Sequence, residues 1–415
     1  MKLKLTSLEK KWILYDVGNS AFTMMVATIL PIYFNFLAES AGISSVDYLA
    51  YWGYATSVCT LIVALIGPVL GAVADTKNYK KMIFLLTMGV GVIGCVMLGF
   101  LTSWLIFLGV FVVAKVGYSC SLIFYDAMLT DVTEPERMDT VSSHGFAWGY
   151  IGSCIPFIAS IGIVLGADKL GLSMQMSMIL AFVITALWWF LSSVPLLKSY
   201  RQKYFSESGA HVIRESVGRL GHTFKEIVKE KHIFLFLLAF FFYIDGVYTV
   251  IDMATAYGQA LGLDSTGLLL ALLVTQIVAF PSVLFFSRLV KKISPEKIIT
   301  ICIGAYFCIA IYAYWLDTQF DFWVLAVFVG MFQGTIQALS RSYFARIIPA
   351  EKSGEFFGIY DICGKGASIL GTAFVSVLSQ ITGNINIGVS ALSVMFFLGM
   401  ITFRAAVRLN PENKS

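Results

Sequence analysis

The sequence predicts an all-α membrane protein with twelve transmembrane helices in two six-helix halves and both termini cytoplasmic. Three observations predict it. The 415-residue chain is 58% hydrophobic and only 13% charged, with a mean hydropathy of +0.82, whereas soluble domains are about half apolar. Twelve apolar runs approach or exceed the roughly 20 residues a spanning helix needs: 12–37, 48–74, 81–102, 104–129, 142–166, 174–197, 233–258, 266–290, 297–316, 322–347, 356–381 and 387–408. Finally, Lys and Arg are sorted, as they are in chains that retain them on the cytoplasmic side. With the N-terminus inside, exterior loops hold only Lys169 of the 29 basic residues; Lys115, Arg341 and Lys365 fall within helices, and the rest lie inside. Exterior loops carry Glu39, Asp47, Asp168, Asp264, Asp317 and Asp321 instead.

Helix one follows Lys2, Lys4, Lys10 and Lys11, but it is too long and too polar for a signal peptide and is read as retained. Asp16, Asn19, Ser20 and Thr23 are spaced i, i+3, i+4, i+7 and share one face. A carboxylate and an amide are costly in hydrocarbon, so this stripe should face protein or a water-filled cavity. Asp16 lies roughly 6–7 Å deep, at 1.5 Å per residue; a local pair with Lys10 or Lys11 is the alternative to cavity lining. Helix two ends in Gly71-Ala-Val-Ala-Asp75, followed by Lys77, Lys80 and Lys81. Helices three and four are divided at Leu101-Thr102-Ser103-Trp104, because the joint run is too long for one crossing.

Helix four places Lys115 near the midplane and Asp126 near its inner end. Helix five opens near His144 and carries Gly145 and Gly149 at the spacing of close helix contact, beside Trp148 and Tyr150. The chain then divides into 1–197, a cytoplasmic linker 198–232, and 233–415. In the linker, Ile213, Val217, Leu220, Phe224 and Ile227 form an apolar stripe on a helix. That helix lies either on the membrane surface, basic face toward headgroups, or against the bundle ends.

Helix seven brings Asp245 near the midplane, with Thr249 and Asp252 at i+4 and i+7. A Lys115–Asp245 pair is expected, either as mutual neutralisation or as a proton-linked or substrate-broken contact. Helix ten carries Arg341; helix eleven carries Asp361 at similar depth, with Lys365 at i+4 and Ser368 at i+7. An Arg341–Asp361–Lys365 network locking those two helices is expected, with substrate contact as the alternative. Asp126 and His144 would form the matching first-half contact. Trp12, Trp52, Trp104 and Trp323 read as interface anchors, and the seven cysteines as small apolar packing residues.

The two halves repeat weakly. Gly71 matches Ser287, Gly117 matches Gly334 and Gly149 matches Gly364, at offsets of 216, 217 and 215 residues. Parallel six-helix repeats of this kind bind substrate near the midplane between them, as in major facilitator transporters. Gly71-x-x-x-Asp75 followed by Lys80-Lys81 resembles the loop two–three motif of that superfamily. Trp12-Ile-Leu-Tyr-Asp-Val-Gly-Asn-Ser20, Phe124-Tyr-Asp-Ala-Met-Leu129, Met138 to Gly152, Tyr243-Ile-Asp-Gly-Val247, Gln337-Ala-Leu-Ser-Arg-Ser-Tyr343 and Phe356-Phe-Gly-Ile-Tyr-Asp361 resemble the Atg22-like (UMF1) family. The resemblance spans nearly the whole chain. It implies a transporter fold, and it points only weakly to substrate: fungal vacuolar members are associated with amino-acid efflux. The chain departs from the superfamily motif at Lys291, where a second-half Asp is expected, so an asymmetric interior gate is expected.

Intramembrane charges number five acids (Asp16, Asp126, Asp245, Asp252, Asp361) and three bases (Lys115, Arg341, Lys365). Both signs suit a zwitterion such as an amino acid, or a small polar metabolite. The expected function is secondary active transport of such a solute by alternating access, with protons as a candidate coupling ion. Substrate and cavity candidates are Asp16, Asn19, Ser20, Thr23, Lys115, Asp245, Asp252, Arg341, Asp361 and Lys365. Gating candidates are Gly71, Asp75, Lys80 and Lys81. No phosphate-cradling Gly-x-x-x-x-Gly-Lys-Ser/Thr run is present, so ATP hydrolysis is not expected. Neither His-Glu-x-x-His nor Gly-x-Ser-x-Gly occurs, so the chain does not read as an enzyme. A non-transporting receptor or scaffold, and an exporter of another metabolite or drug-like compound, are the alternatives. No cofactor, metal or nucleic acid is expected; the +4 net charge reports topology. A monomer in the plasma (cell inner) membrane, with lipid, a small molecule and protons as partners, completes the expectation.

Overall fold

Where each helix stops and bends follows from a few residues. The computed structural model describes residues 4–207, 212–366 and 368–410. Helix one (Ser7–Ala27) starts with a capping box: Glu9 N donates to Thr6 Oγ1, and Thr6 N donates to the Glu9 carboxylate. It breaks at Thr28 and resumes as Ile29–Ser40. Pro31 has no N–H for the Ala27 carbonyl and its ring crowds that carbonyl, which accounts for the break. Helix two is Ser45–Ala74, three Tyr79–Leu98, four Trp104–Ala127, five Met138–Leu165 and six Met174–Ser199. The expected division between three and four is present. The linker helix is Val212–Lys229, and helices seven to ten are Lys231–Ala260, Ser265–Leu289, Pro295–Tyr312 and Gln319–Ile347.

Helix eleven differs from the continuous run expected. It is Ser353–Asp361, a π-helical turn Ile362–Gly366, then Ser368–Thr382. Single π turns inside helices often mark functional sites. Helix twelve also comes in two pieces, Ile385–Ser390 and Leu392–Leu409. Eleven stretches are therefore long and apolar enough to cross a membrane, and the interrupted helix eleven supplies a shorter one, Leu370–Thr382. Large side chains such as Leu65, Ile93, Leu165, Leu191 and Phe285 are exposed on the bundle surface. That is the distribution a bilayer solvates.

Helix one packs on helices five and six, and helix seven on helix twelve. The first six helices meet the last six where helix two packs on eleven and helix five on eight and ten. Helix one approaches helix five closely because Gly145, Gly149 and Gly152 leave room. A Cβ on Gly149 would lie 2.8 Å from Ser20 Oγ, and one on Gly152 2.5 Å from Val17 Cγ1. The small-residue contact expected on helix five is thus with helix one.

Two expectations need correction. Trp12 is fully buried, stacks on Tyr125 with ring centres 4.3 Å apart, and donates from Nε1 to the Tyr125 carbonyl at 3.0 Å. It anchors helix one to helix four and does not sit at a membrane interface. The linker helix packs against helices two and seven, burying Thr223 and Ile227 while Phe224 and Val228 stay exposed. Phe224 therefore does not share the buried side with Ile227; the side chains of Ile213, Val217 and Leu220 lie outside the described residues. Lys352 donates to Glu226 at 2.7 Å and holds that carboxyl below the usual carboxylate range. The cysteines are free, and five of the seven are buried.

Candidate functional site

The start of helix one reaches the end of helix six, where the linker begins: Lys11 Nζ donates to Ser199 Oγ at 2.6 Å. Three polar clusters join the two sets of helices at or near that end. The first centres on Arg341, near the end of helix ten and 3% exposed. Its Nη1 donates to Asp126 Oδ1 at 2.9 Å, and its Nη2 lies 3.4 Å from Asp16 Oδ2. Nε donates to Ser142 Oγ at 2.9 Å and Nη2 to the Ser142 carbonyl at 3.1 Å. The guanidinium also lies against three rings, 4.7 Å from Trp12, 5.4 Å from Tyr125 and 4.4 Å from Phe146. A planar cation that hydrogen-bonds at its edge and stacks on its faces is a use to which Arg is suited and Lys is not. Every one of these partners lies in the first six helices. A Cβ on Gly145 would lie 2.6 Å from Asp16 Oδ2 and 3.1 Å from Arg341 Nη2, so glycine is what lets the cluster close.

The second cluster is the Gly71–Lys81 segment. Asp75 accepts from Gly354 N at 2.8 Å and Glu355 N at 2.9 Å, two of the free amides that open helix eleven. Lys80, fully buried, lies 3.8 Å from Asp75 and 3.2 Å from Asp131, and donates to Ser353 Oγ at 2.8 Å. Asp131 also accepts from Tyr200 Oη and from the Lys203 and Tyr204 amides. Burial pushes the Asp75 carboxyl up to about 7, against the pull of Lys80 and the two amides. The backbones of helices two and eleven touch: a Cβ on Gly354 would lie 2.5 Å from the Gly71 carbonyl. Lys81 is only half-buried beside this cluster, and Lys291, at the matching place in the second half, is exposed.

The third cluster joins helices five and ten. Asp139 accepts from Ser342 Oγ at 2.5 Å and pairs with Arg346, and Ser142 Oγ donates to the Ala338 carbonyl at 2.7 Å. Sequence reasoning does not reach Asp131, Asp139, Ser142, Ser342 or Arg346. Their common signal is position, since all sit within about two turns of a helix end facing the linker.

Away from that end the helix-one stripe opens. Asp16 is 6% exposed and Asn19 2%, Ser20 is half-buried, and Thr23 is exposed. Asn19 Nδ2 donates to the Tyr15 carbonyl at 3.0 Å, and Thr23 shares a 2.5 Å hydrogen bond with Tyr118 of helix four. Exposure along the stripe therefore rises between Asn19 and Thr23, away from the linker end. Lys115, half-buried, lies 5.4 Å from the Tyr118 ring centre, and its charge acts on Asp252. Asp252 is exposed.

The expected Lys115–Asp245 contact is absent: no ion pair joins the two among the described residues. Asp245 is fully buried and accepts at Oδ1 from Gly371 N at 3.2 Å and Thr249 Oγ1 at 3.3 Å. Helical spacing puts Asp245 and Asp252 on one face, yet that face passes from buried to exposed along helix seven. The expected Arg341–Asp361 contact is also absent: no ion pair joins them among the described residues. Asp361 is half-buried and acts electrostatically on Tyr248. The Lys365 side chain lies outside the described residues. Asp126 meets Arg341 as part of the first cluster, while His144 is half-buried and its Nδ1 has no hydrogen-bond partner among the described residues.

Comparison with known proteins gives consistent relatives. The model of the "vacuole effluxer Atg22 like" family matches residues 7–136 and 129–410. An uncharacterised MFS-type transporter of Bacillus subtilis, YxiO, is 42% identical over 406 residues, 97% of this chain and 95% of its own. Autophagy-related protein 22 of Saccharomyces cerevisiae is 27% identical over 293 residues, 61% of this chain and 54% of its own, so the match covers about half of that relative. Among solved structures, the proton:xylose symporter XylE superposes with a TM-score of 0.72 at 12% identity, covering 95% of this chain and 94% of its own. The transporter FucP in its outward conformation does so at 0.70 and 14%, covering 96% and 97%. At these identities the structural likeness shows the fold, that of major facilitator transporters.

Proposed function

This chain belongs to the Atg22-like vacuole effluxer family and is a multi-pass transporter of the major facilitator type, and from that premise we propose that it carries a small zwitterion, an amino acid or a close relative, by alternating access. The linker end is the cytoplasmic end, as the Lys and Arg distribution implies. The three clusters are the cytoplasmic gate, and the state described is closed inside and open outside. Transport proceeds when the two halves rock so that these clusters separate and the cavity mouth closes. Proton movement supplies the energy.

One observation carries the substrate class. Of the intramembrane charges, Asp16, Asp126 and Arg341 are engaged with one another in the gate, and Asp245 is enclosed in the second half. Lys115 on helix four and Asp252 on helix seven stand on opposite halves, opposite in sign and close enough to interact; Asp361 is half-buried, and the Lys365 side chain lies outside the described residues. A solute with a carboxylate and an ammonium group bridges them, and its arrival exchanges their direct attraction for two charge-assisted contacts. Thr23 and Tyr118 lie beside Lys115 and supply neutral hydrogen-bonding groups. A cell-inner-membrane location and a monomeric unit fit this reading.

The test is thermal stabilisation of the purified protein by a panel of single amino acids, their amides and their N-acetyl derivatives, followed by counterflow in proteoliposomes with any compound that stabilises. A ligand at 100 times its Kd raises stability by about 2.7 kcal/mol. Stabilisation by intact amino acids and by neither singly blocked derivative is expected. Stabilisation by uncharged solutes alone would remove the zwitterion.

A further inference from the structure

Asp245 is a fully buried carboxylate in the membrane interior that belongs to none of the three clusters. Its Oδ2 has no hydrogen-bond partner among the described residues. Its Oδ1 is held by Gly371 N at 3.2 Å and Thr249 at 3.3 Å. Gly371 lies in the first turn of Ser368–Thr382, the outer segment of helix eleven just after the π-helical turn. The carboxylate thus sits at the amino end of a helix segment that the rest of helix eleven does not rigidly continue. A Cβ on Gly371 would lie 2.6 Å from Asp245 Oδ1, so the approach depends on glycine.

The surroundings offer little charge compensation. Charged groups on the elements packed against helix seven are Glu355, Asp361 and Lys365 on helix eleven, Asp321, Arg341 and Arg346 on ten, Arg404 and Arg408 on twelve, Arg288 on eight, and Arg214, Glu215, Arg219, His222, Lys225, Glu226 and Lys229 on the linker helix. None of those with described side chains is within ion-pair distance of Asp245; the Lys365 side chain lies outside the described residues. An apolar cavity of about 20 Å³, lined by Thr249, Met253 and Val375 among others, lies beside the outer segment. It is about the size of one water molecule, so packing against that face of the segment is incomplete.

We propose that Asp245 is a proton-binding site and that its protonation state is coupled to the position of the outer segment of helix eleven. The proton adds to the unpartnered Oδ2 and turns the carboxylate into a neutral acid. With the charge removed, the attraction to the Gly371 amide and to the positive end of the segment weakens, and the segment is released toward the cavity. Loss of the proton reverses both changes. This inference rests on the transporter reading above and gives its proton a residue.

The test needs no substrate. Infrared difference spectra of the reconstituted protein between about pH 5 and about pH 9 report the carbonyl stretch of a titrating buried carboxylic acid. A titrating band is expected in the wild type and in Asp252→Asn, and its loss in Asp245→Asn. Asp245→Glu should restore it at a shifted frequency, which separates titration from folding. Spin labels at Ile381→Cys and Leu165→Cys, both exposed positions, in a Cys308→Ser background, read helix eleven. Their distance distribution should change with pH in the wild type and not in Asp245→Asn. A band that persists in Asp245→Asn, or no titrating band in the wild type, overturns the site. A lost band with an unchanged distance response overturns the coupling. A titrating Asp245 with no response to any amino acid sinks the substrate reading alone, and amino-acid counterflow without a titrating Asp245 sinks this one alone.

Discussion

Arg341 donates to Asp126 at 2.9 Å across the boundary between the first six helices and the last six, in a site only 3% exposed on the arginine side. Removing one member of a buried ion pair leaves a charge without compensation and typically costs about 3–5 kcal/mol. Arg341→Ala should therefore lower the melting temperature by several degrees and raise the reactivity of a Ser142→Cys thiol from the linker side. Asp126→Asn in the same background should recover part of the loss, a coupling of about 0.5–3 kcal/mol. Arg341→Lys should behave more like Ala, since Lys cannot hold two carboxylates and Ser142 while stacking on Trp12 and Phe146. Strict additivity of the single losses would show that the pair does not act as a unit.

Gly71 and Gly354 carry the backbone contact between helices two and eleven, where a Cβ on either would overlap the other's carbonyl. Backbone cannot swing aside as a side chain can, so Gly71→Val should hold these helices apart. Overpacking of this kind costs about 1–3 kcal/mol, which here should fall on the closed-inside state and shift molecules toward linker-side accessibility. Labelling of Ser142→Cys should rise by about 5-fold or more. Gly89→Val, at a glycine where an added Cβ would meet nothing within 4 Å, should leave labelling unchanged. Equal labelling in both variants would argue that helix two is not part of the gate.

The Asp75 clamp should make gate closure depend on pH. In the closed state burial raises its carboxyl to about 7; opening admits water and returns it toward the ordinary value of about 4. A carboxyl raised in one state binds protons more tightly there, so low pH favours that state. Closure should be at full strength below about pH 4, weaken as pH rises to about 7, and then level off. Distances between spin labels on the linker ends of helices two and eleven should report this window. Asp75→Asn, neutral at every pH, should flatten it. An opposite slope in the wild type would mean that Lys80 and the amides outweigh burial.

Much of this arrangement is legible in the amino-acid order. The i, i+3, i+4, i+7 spacing finds the helix-one stripe, and the Gly71–Asp75–Lys80 spacing marks a segment that the structure joins to helix eleven. What one helix cannot disclose is its partner across the boundary. Equal depth on consecutive helices matches Arg341 to Asp361. Its actual partners are Asp16, Asp126 and Ser142, about 200 to 325 positions away in sequence, and are set by how two six-helix sets dock. A clue lies in Gly145, since a glycine facing Asp16 and Trp12 leaves space for a large cation. Helix eleven reads as continuous because apolar composition runs through Ile362–Gly366; Gly364 and Gly366 are the only local signs of a change in winding.

Lys115 and Asp252 should divide the recognition of a zwitterion between them. Each would form a charge-assisted contact worth about 1.5–3 kcal/mol, so Lys115→Gln and Asp252→Asn should each weaken binding about 10- to 150-fold. The two losses should differ in kind. Lys115→Gln removes the partner of the carboxylate, so an amino-acid amide should bind that variant about as well as the parent amino acid does. Asp252→Asn removes the partner of the ammonium, so an N-acetyl amino acid should gain relative to the parent there. Each single change also leaves the other charge uncompensated in the cavity, which should lower the melting temperature slightly, whereas Lys115→Gln with Asp252→Asn should restore the temperature and abolish binding. Isothermal titration of the three compounds against the four proteins measures both patterns. Equal losses for all three compounds in both single variants would mean that the pair shapes the cavity and does not read the charges of the solute.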